Sequence, residues 1–151
     1  MLLYLNFVRY NIPMLKIVQI PHPALTQQTR PVAKIDRKVR QLVSEMEKAL
    51  DAQRNPEGVG LSAPQVASDQ AIFIIKHPKE KILKAFINPR LTQTRMYTKS
   101  EKSRYEKALI DEGLDPKEEQ NNLEGCLSIP EIWAHVDRYD VVEVTYETIT
   151  G

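Results

Sequence analysis

A chain of 151 residues with 42% hydrophobic and 27% charged residues is about one globular domain, with enough apolar material to build a core. Its 21 basic and 20 acidic residues leave a formal charge of +1, so no global field recruits anionic lipid, and nucleic acid is a poor fit as the main partner. A single cysteine excludes an internal disulfide and fits a reducing compartment.

In chain order, residues 1–13, "MLLYLNFVRYNIP", are apolar but lack a basic start and a small-residue cleavage site, and Arg9 interrupts them, so they do not read as an export signal. Nothing further on reaches the roughly 18 uninterrupted apolar residues of a membrane-spanning helix, which makes the cytoplasm the expected location. Apolar residues at 35, 39, 42, 43, 46 and 50 recur at spacings of three and four, Asp36 stands where an N-cap belongs, and "NPEG" at 55–58 is a stop signal. The spacing predicts an amphipathic helix over about 36–55. "AIFII" at 71–75 reads as a buried strand and "AFINP" at 85–89 as a second strand ended by its proline. Residues 98–122 mix charges of both signs with few apolar residues and read as a solvated insertion, helical near 105–110 and otherwise mobile. "VVEVTYETIT" at 141–150 has the mixed pattern of a half-buried strand.

Two stretches carry chemistry. "EGCLSIP", 124–130, holds the only cysteine, behind a glycine and a carboxylate. A lone cysteine is by default a small buried hydrophobe, so its setting must decide whether Cys126 is a metal ligand or a nucleophile. "GVGLSAPQV", 58–66, places two glycines one residue apart but lacks the third glycine and the strand–helix frame of a dinucleotide loop. Glycines also let a ligand approach the backbone, and the Gln65 amide can present an N–H to a developing oxyanion.

Together, "GVGLSAPQ" and "EGCLS" resemble the first two of the three signature motifs of the peptide deformylases. "MLKIVQIPHPAL" from Met14 is similar to that family's N-terminal strand, and "EGCLSIPEIWAHVDRYDVVEV" continues in the family's manner. The resemblance covers residues 14–151, read as an incomplete deformylase-like domain, with 1–13 as an extension from an upstream start codon. It implies an α+β fold of antiparallel sheets with one N-terminal amphipathic helix. It also implies a metallohydrolase that removes the N-formyl group from the formyl-methionine of newly made proteins, with formyl-methionyl nascent peptides, met at the ribosome, as its partners. By the same resemblance Cys126 ligates a divalent metal, Fe2+ or else Zn2+ or Ni2+, while Gln65 and the backbone N–H of Leu127 stabilise the oxyanion. Backbone at Val59, Gly60 and Gly125 aligns the peptide like an added strand, and Glu124, paired with Arg138 because a glutamate beside the ligand loop is partly enclosed, supports the loop.

The third family motif, H-E-x-x-H on a helix, has no counterpart here. The histidines stand at 22, 77 and 135, none followed by glutamate and no two four apart. The chain is therefore expected to lack the central metal-binding helix, to leave the strand faces at 72–75 and 141–146 uncovered, and to bind no stoichiometric metal by itself. A thiol hydrolase built on Cys126 and His135 is a minor alternative, since His135 reads as a strand histidine facing solvent or a carboxylate. Two other readings stand beside a deformylase fragment: a non-catalytic relative that binds formyl-methionyl peptides or another partner, and a site completed by a second polypeptide.

Overall fold

The structure is a computed structural model that describes residues 14–54, 57–77, 83–117 and 123–150. The extension at 1–13, the Asn55–Pro56 half of the expected stop signal and the end of the 98–122 insertion lie outside the described residues.

Helix α1 spans Arg37–Asp51. Asp36 caps it, one carboxylate oxygen accepting the N–H groups of Lys38 at 2.8 Å and Val39 at 3.1 Å, which satisfies two donors that a helix start leaves without partners. Its buried stripe is Val39, Val43, Met46, Ala49 and Leu50, the three-and-four spacing made physical. The helix stops four residues short of the expected end. Past its end the chain comes back against the last turn at Gly58, where a Cβ would lie 2.5 Å from Leu50 Cδ1 and 2.9 Å from Leu50 O, so only glycine fits that close approach.

Strands β1 (Gly60–Ser62), β2 (Ile72–Lys76), β3 (Leu83–Arg95) and β6 (Val141–Glu147) form one antiparallel sheet in the order β1-β2-β3-β6. Strands β4 (Glu124–Cys126) and β5 (Ile129–Ala134) form a separate hairpin. The two-residue period of β2 sends Ile72 and Ile74 into the core with Leu61 and Ile87, beneath α1. Phe73 and Ile75 face the other way, where Phe73 stacks on Phe86 with centroids 4.5 Å apart and Phe86 meets Tyr146 at 4.4 Å. The α+β class of antiparallel sheets with an N-terminal amphipathic helix is thus as expected.

Several details differ from the sequence reading. The strand at 71–75 is not buried throughout: Ile74 is fully buried while Ile75 is 42% exposed, because only one face of the sheet is covered by α1. The uncovered surface accordingly includes Ile75, Val142 and Tyr146 but spares Ile72. Strand β3 does not end at Pro89. Asn88 adopts φ 51°, the pairing with β6 shifts between Ile87 and Arg90, and the proline, which has no N–H to donate, sits in that irregularity. The Asn88 side chain holds the bend, accepting Val32 N–H at 2.7 Å and donating to Val32 O at 2.9 Å and Glu147 Oε1 at 2.6 Å. Strand β6 buries no residue fully, since it lies at the sheet edge with one neighbour. Residues 14–19 are not a strand; they have no regular secondary structure and are tied down by isolated backbone hydrogen bonds such as Val18 N–H to Gln65 O.

The insertion contains a longer helix than expected, α2 over Lys99–Asp111. Thr98 and Glu101 form its capping box, with Glu101 N–H donating to Thr98 Oγ1 at 3.3 Å and Thr98 N–H donating to Glu101 Oε2 at 2.9 Å. Arg95 clamps the same carboxylate with two bonds of 2.9 Å, and together these donors pull the Glu101 carboxyl down to about 2.

Candidate active site

The two motif loops fold against each other. In the first, β1 ends at Ser62 and a 3-10 turn, Ala63–Val66, follows. The Gln65 side chain folds back so that its Oε1 accepts Ser62 N–H at 3.0 Å and Ser62 Oγ–H at 3.1 Å. In the second, β4 passes through the two residues Leu127 and Ser128 into β5, with Cys126 opposite Ile129. Gln65 Nε2 crosses to the second loop and donates to Ser128 Oγ at 3.2 Å. Ser128 is only 3% exposed, and this bond supplies the partner a buried hydroxyl requires.

The segment at 18–20 joins the same two loops. Val18 N–H donates to Gln65 O at 2.8 Å and Ile20 N–H to Ser128 O at 3.0 Å. Three hydrogen bonds thus fix two stretches more than sixty residues apart.

Between them lies a cavity of ≈ 530 Å³ bordered by Val59, Gly60, Gln65, Glu124, Gly125, Cys126 and Leu127. A second hollow of ≈ 530 Å³ meets it at Cys126, Leu127 and Trp133. Cys126 is exposed, so it is not the buried hydrophobe of the default reading. The Leu127 N–H, in the turn, finds no backbone acceptor among the described residues. Trp133, which the sequence reading did not single out, walls both hollows. Its ring lies over Gly125, where an added Cβ would sit 3.1–3.2 Å from three ring carbons, so glycine at 125 is what lets the indole close down.

Arg138 reaches Glu124 as expected, Nε to Oε1 at 3.0 Å and Nη2 to Oε2 at 2.6 Å. The hydrogen bonds from Arg138 hold the Glu124 carboxyl below its ordinary 4.5, with desolvation opposing and the Arg138 charge adding to the lowering. The setting corrects the reason given for the pair: the side chains are 43% and 66% exposed, so it is a surface clamp rather than an enclosed one.

Arg138 lies outside the cavity lining, and so does His135. The latter follows β5, whose Ala134 is opposite Glu124 rather than Cys126. The strand register therefore runs His135 away from the thiol, which removes the geometric basis for a Cys126–His135 nucleophile pair. Among the described residues no group of three or more His, Cys, Asp or Glu side chains is placed to hold a metal ion. Cys126 is one soft donor, fewer than a zinc or iron centre needs, so these residues do not by themselves fit the metal that the motifs imply.

The sequence carries a local signal for the Gln65 arrangement. Ser62-Ala63-Pro64-Gln65 is an S-x-x-Q capping pattern, which predicts the glutamine side chain folding back on the serine N–H.

The family described as polypeptide deformylase matches residues 14–151. Curated peptide deformylases from Wolinella succinogenes and Brucella suis are 31% and 32% identical over 138 residues, covering 91% and 89% of this chain and 70% and 65% of their own. A solved peptide deformylase from Synechococcus elongatus, crystallised with actinonin, superposes with a TM-score of 0.69 at 27% identity, covering 92% of this chain and 62% of that one. The Thermotoga maritima peptide deformylase gives 0.66 at 26% identity over 91% and 76%. The chain spans about two thirds of the length of these relatives. With both motif loops in place around one cavity and the family matched from residue 14 onward, the chain belongs to the polypeptide deformylase family.

Proposed function

We propose that this cavity is the peptide-binding and oxyanion-stabilising face of a deformylase site, serving hydrolysis of the N-formyl group of formyl-methionyl nascent peptides in the cytoplasm, with the ribosome as the place of encounter. The observation that carries this is the convergence of Gln65 and Leu127 on the space beside Cys126. Gln65 keeps one Nε2 proton beyond the one given to Ser128, Leu127 N–H has no backbone acceptor among the described residues, and both residues line the hollow; two such donors would stabilise a tetrahedral oxyanion there. Gly60 and Val59 leave the edge of β1 open to an extended peptide, and Gly125 forms the opposite wall. Cys126 is the one residue here that the motif assigns to a divalent metal, Fe2+ or else Zn2+ or Ni2+. Glu124 accepts both bonds from Arg138, so it steadies the loop and is not a free proton acceptor.

A second reading is a relative that binds formyl-methionyl peptides without turning them over. It draws on the lack, among the described residues, of any group of three or more His, Cys, Asp or Glu side chains placed to hold a metal ion. Both readings share a test at the level of binding. Calorimetric titration with formyl-Met-Ala-Ser and with Met-Ala-Ser is expected to show preference for the formylated peptide, lost in Gln65→Ala. Equal binding of the two peptides by the unaltered chain would overturn the proposal.

A further inference from the structure

We infer that Ser62, together with Ser128, sets which way the Gln65 amide faces, and that these two hydroxyls are positioning residues for the formyl oxygen. The inference rests on the proposed role of the cavity. A backbone N–H can only donate, so the Gln65 atom 3.0 Å from Ser62 N must be the carbonyl oxygen. That one contact excludes the flipped amide. The Ser62 hydroxyl adds a second donor to the same oxygen at 3.1 Å, and the buried Ser128 Oγ takes one of the two Nε2 protons at 3.2 Å.

Three bonds thus fix all but one of the hydrogen-bonding directions of the amide. The remaining Nε2 proton is available to a ligand in the cavity that Gln65 lines together with Cys126 and Leu127.

The contributions of the two serines differ. Alanine at 62 keeps the backbone N–H but removes the hydroxyl, so the amide keeps its preferred face and loses rigidity. Alanine at 128 removes the one acceptor of Nε2 found among the described residues and leaves the amide plane free to tilt about its bonds to Ser62. Neither residue needs to touch the peptide. Their effect is on how often the free N–H points at the formyl oxygen, a matter of preorganisation rather than new contact.

The test is nuclear magnetic resonance of the 15N-labelled chain, with the Gln65 side-chain NH2 pair assigned by its loss in Gln65→Glu. In the unaltered protein the two protons are expected to be well separated in shift and slow to exchange with water. Ser62→Ala and Ser128→Ala should accelerate exchange and bring the two shifts together. Each should weaken formyl-Met-Ala-Ser binding by about 3- to 10-fold, the range of one ordinary hydrogen bond, with Met-Ala-Ser binding unchanged. Ser62→Thr, which keeps the hydroxyl, should restore both signals. Backbone amide spectra of each variant report whether it is folded. Unchanged Gln65 amide signals in both folded alanine variants would overturn the inference. If instead the amide responds as described while formylated and unformylated peptides bind alike, the positioning stands and the deformylase reading of the cavity falls.

Discussion

Arg138 holds Glu124 through two parallel hydrogen bonds, at 3.0 and 2.6 Å, from the far end of the β4–β5 hairpin. Fourteen residues separate them, so the pair closes the hairpin that carries Cys126, Leu127 and Ser128. Its exposure keeps the stabilisation small, about 0.5 kcal/mol as for other surface pairs. Arg138→Ala should therefore lower the melting temperature only slightly, while loosening amide protection at 124–128. Because the folded Glu124 carboxyl titrates below its ordinary 4.5, the pair's stabilisation is present above that value and is lost as pH falls through the depressed one. The difference between Arg138→Ala and the unaltered chain should hold at pH 6–7 and close in strong acid; a difference that grew on acidification would contradict the pairing.

The three glycines of the two motifs should separate by function. A Cβ at Gly58 meets Leu50 Cδ1 at 2.5 Å and Leu50 O at 2.9 Å, so Gly58→Ala is expected to cost about 1–3 kcal/mol in chemical denaturation. At Gly60 the nearest atoms are Ile74 O at 3.4 Å and Ile75 Cγ2 at 3.7 Å, ordinary contacts, so Gly60→Ala should fold with near-normal stability and impair peptide binding. Gly125→Ala should displace the Trp133 ring and shift its fluorescence.

Core packing gives a plain stability expectation. Ile74 is fully buried at the centre of the sheet, beneath α1, and Ile74→Ala should cost about 2–5 kcal/mol. A loss under 1 kcal/mol in urea unfolding would show that this site can collapse around the void.

Helix α2 should be pH-sensitive on its own. Its Glu101 carboxyl, pulled to about 2 by Arg95 and Thr98 from an ordinary 4.5, stabilises the helix start above pH 4.5, and that contribution fades as pH falls toward 2. Hydrogen exchange at 99–111 should rise over that range, and Glu101→Gln should show the faster exchange already at pH 7. Equal exchange in both proteins at neutral pH would dismiss the capping box as a stabiliser.

Metal content tests the donor set directly. With no cluster of three or more potential ligands around Cys126 among the described residues, the 151-residue chain is expected to carry well under one iron, nickel or zinc per molecule and to release no formate from formyl-Met-Ala-Ser under anaerobic conditions. Supplying a peptide with an H-E-x-x-H helix should raise metal content and formate release together. Robust formate release by the chain alone, abolished in Cys126→Ala, would require a different mechanism.

Much of the fold was legible because local patterns coincide with tertiary demand. The capped three-and-four spacing from Asp36 to Leu50 is a helix in any context that buries its stripe, and the β-branched runs at 72–75 and 141–144 are strands by the same logic. Residue types also mark the two motif loops, since a glycine-rich turn and a thiol beside a glycine state their chemistry in one dimension. Only the tertiary structure decided the rest. Which face of β2 is covered depends on where α1 lies, so Ile74 and Ile75 have different fates despite identical chemistry. Pro89 could not be placed inside a strand until Asn88 was seen bridging Val32 and Glu147 across the bend. The exposure of Cys126 and the indole closing over Gly125 depend on how the β4–β5 hairpin folds and what packs on it, and the Gln65–Ser128 hydrogen bond joins residues distant in sequence. A hydrogen bond across 63 positions is fixed by the path of the backbone between them, which no local pattern encodes.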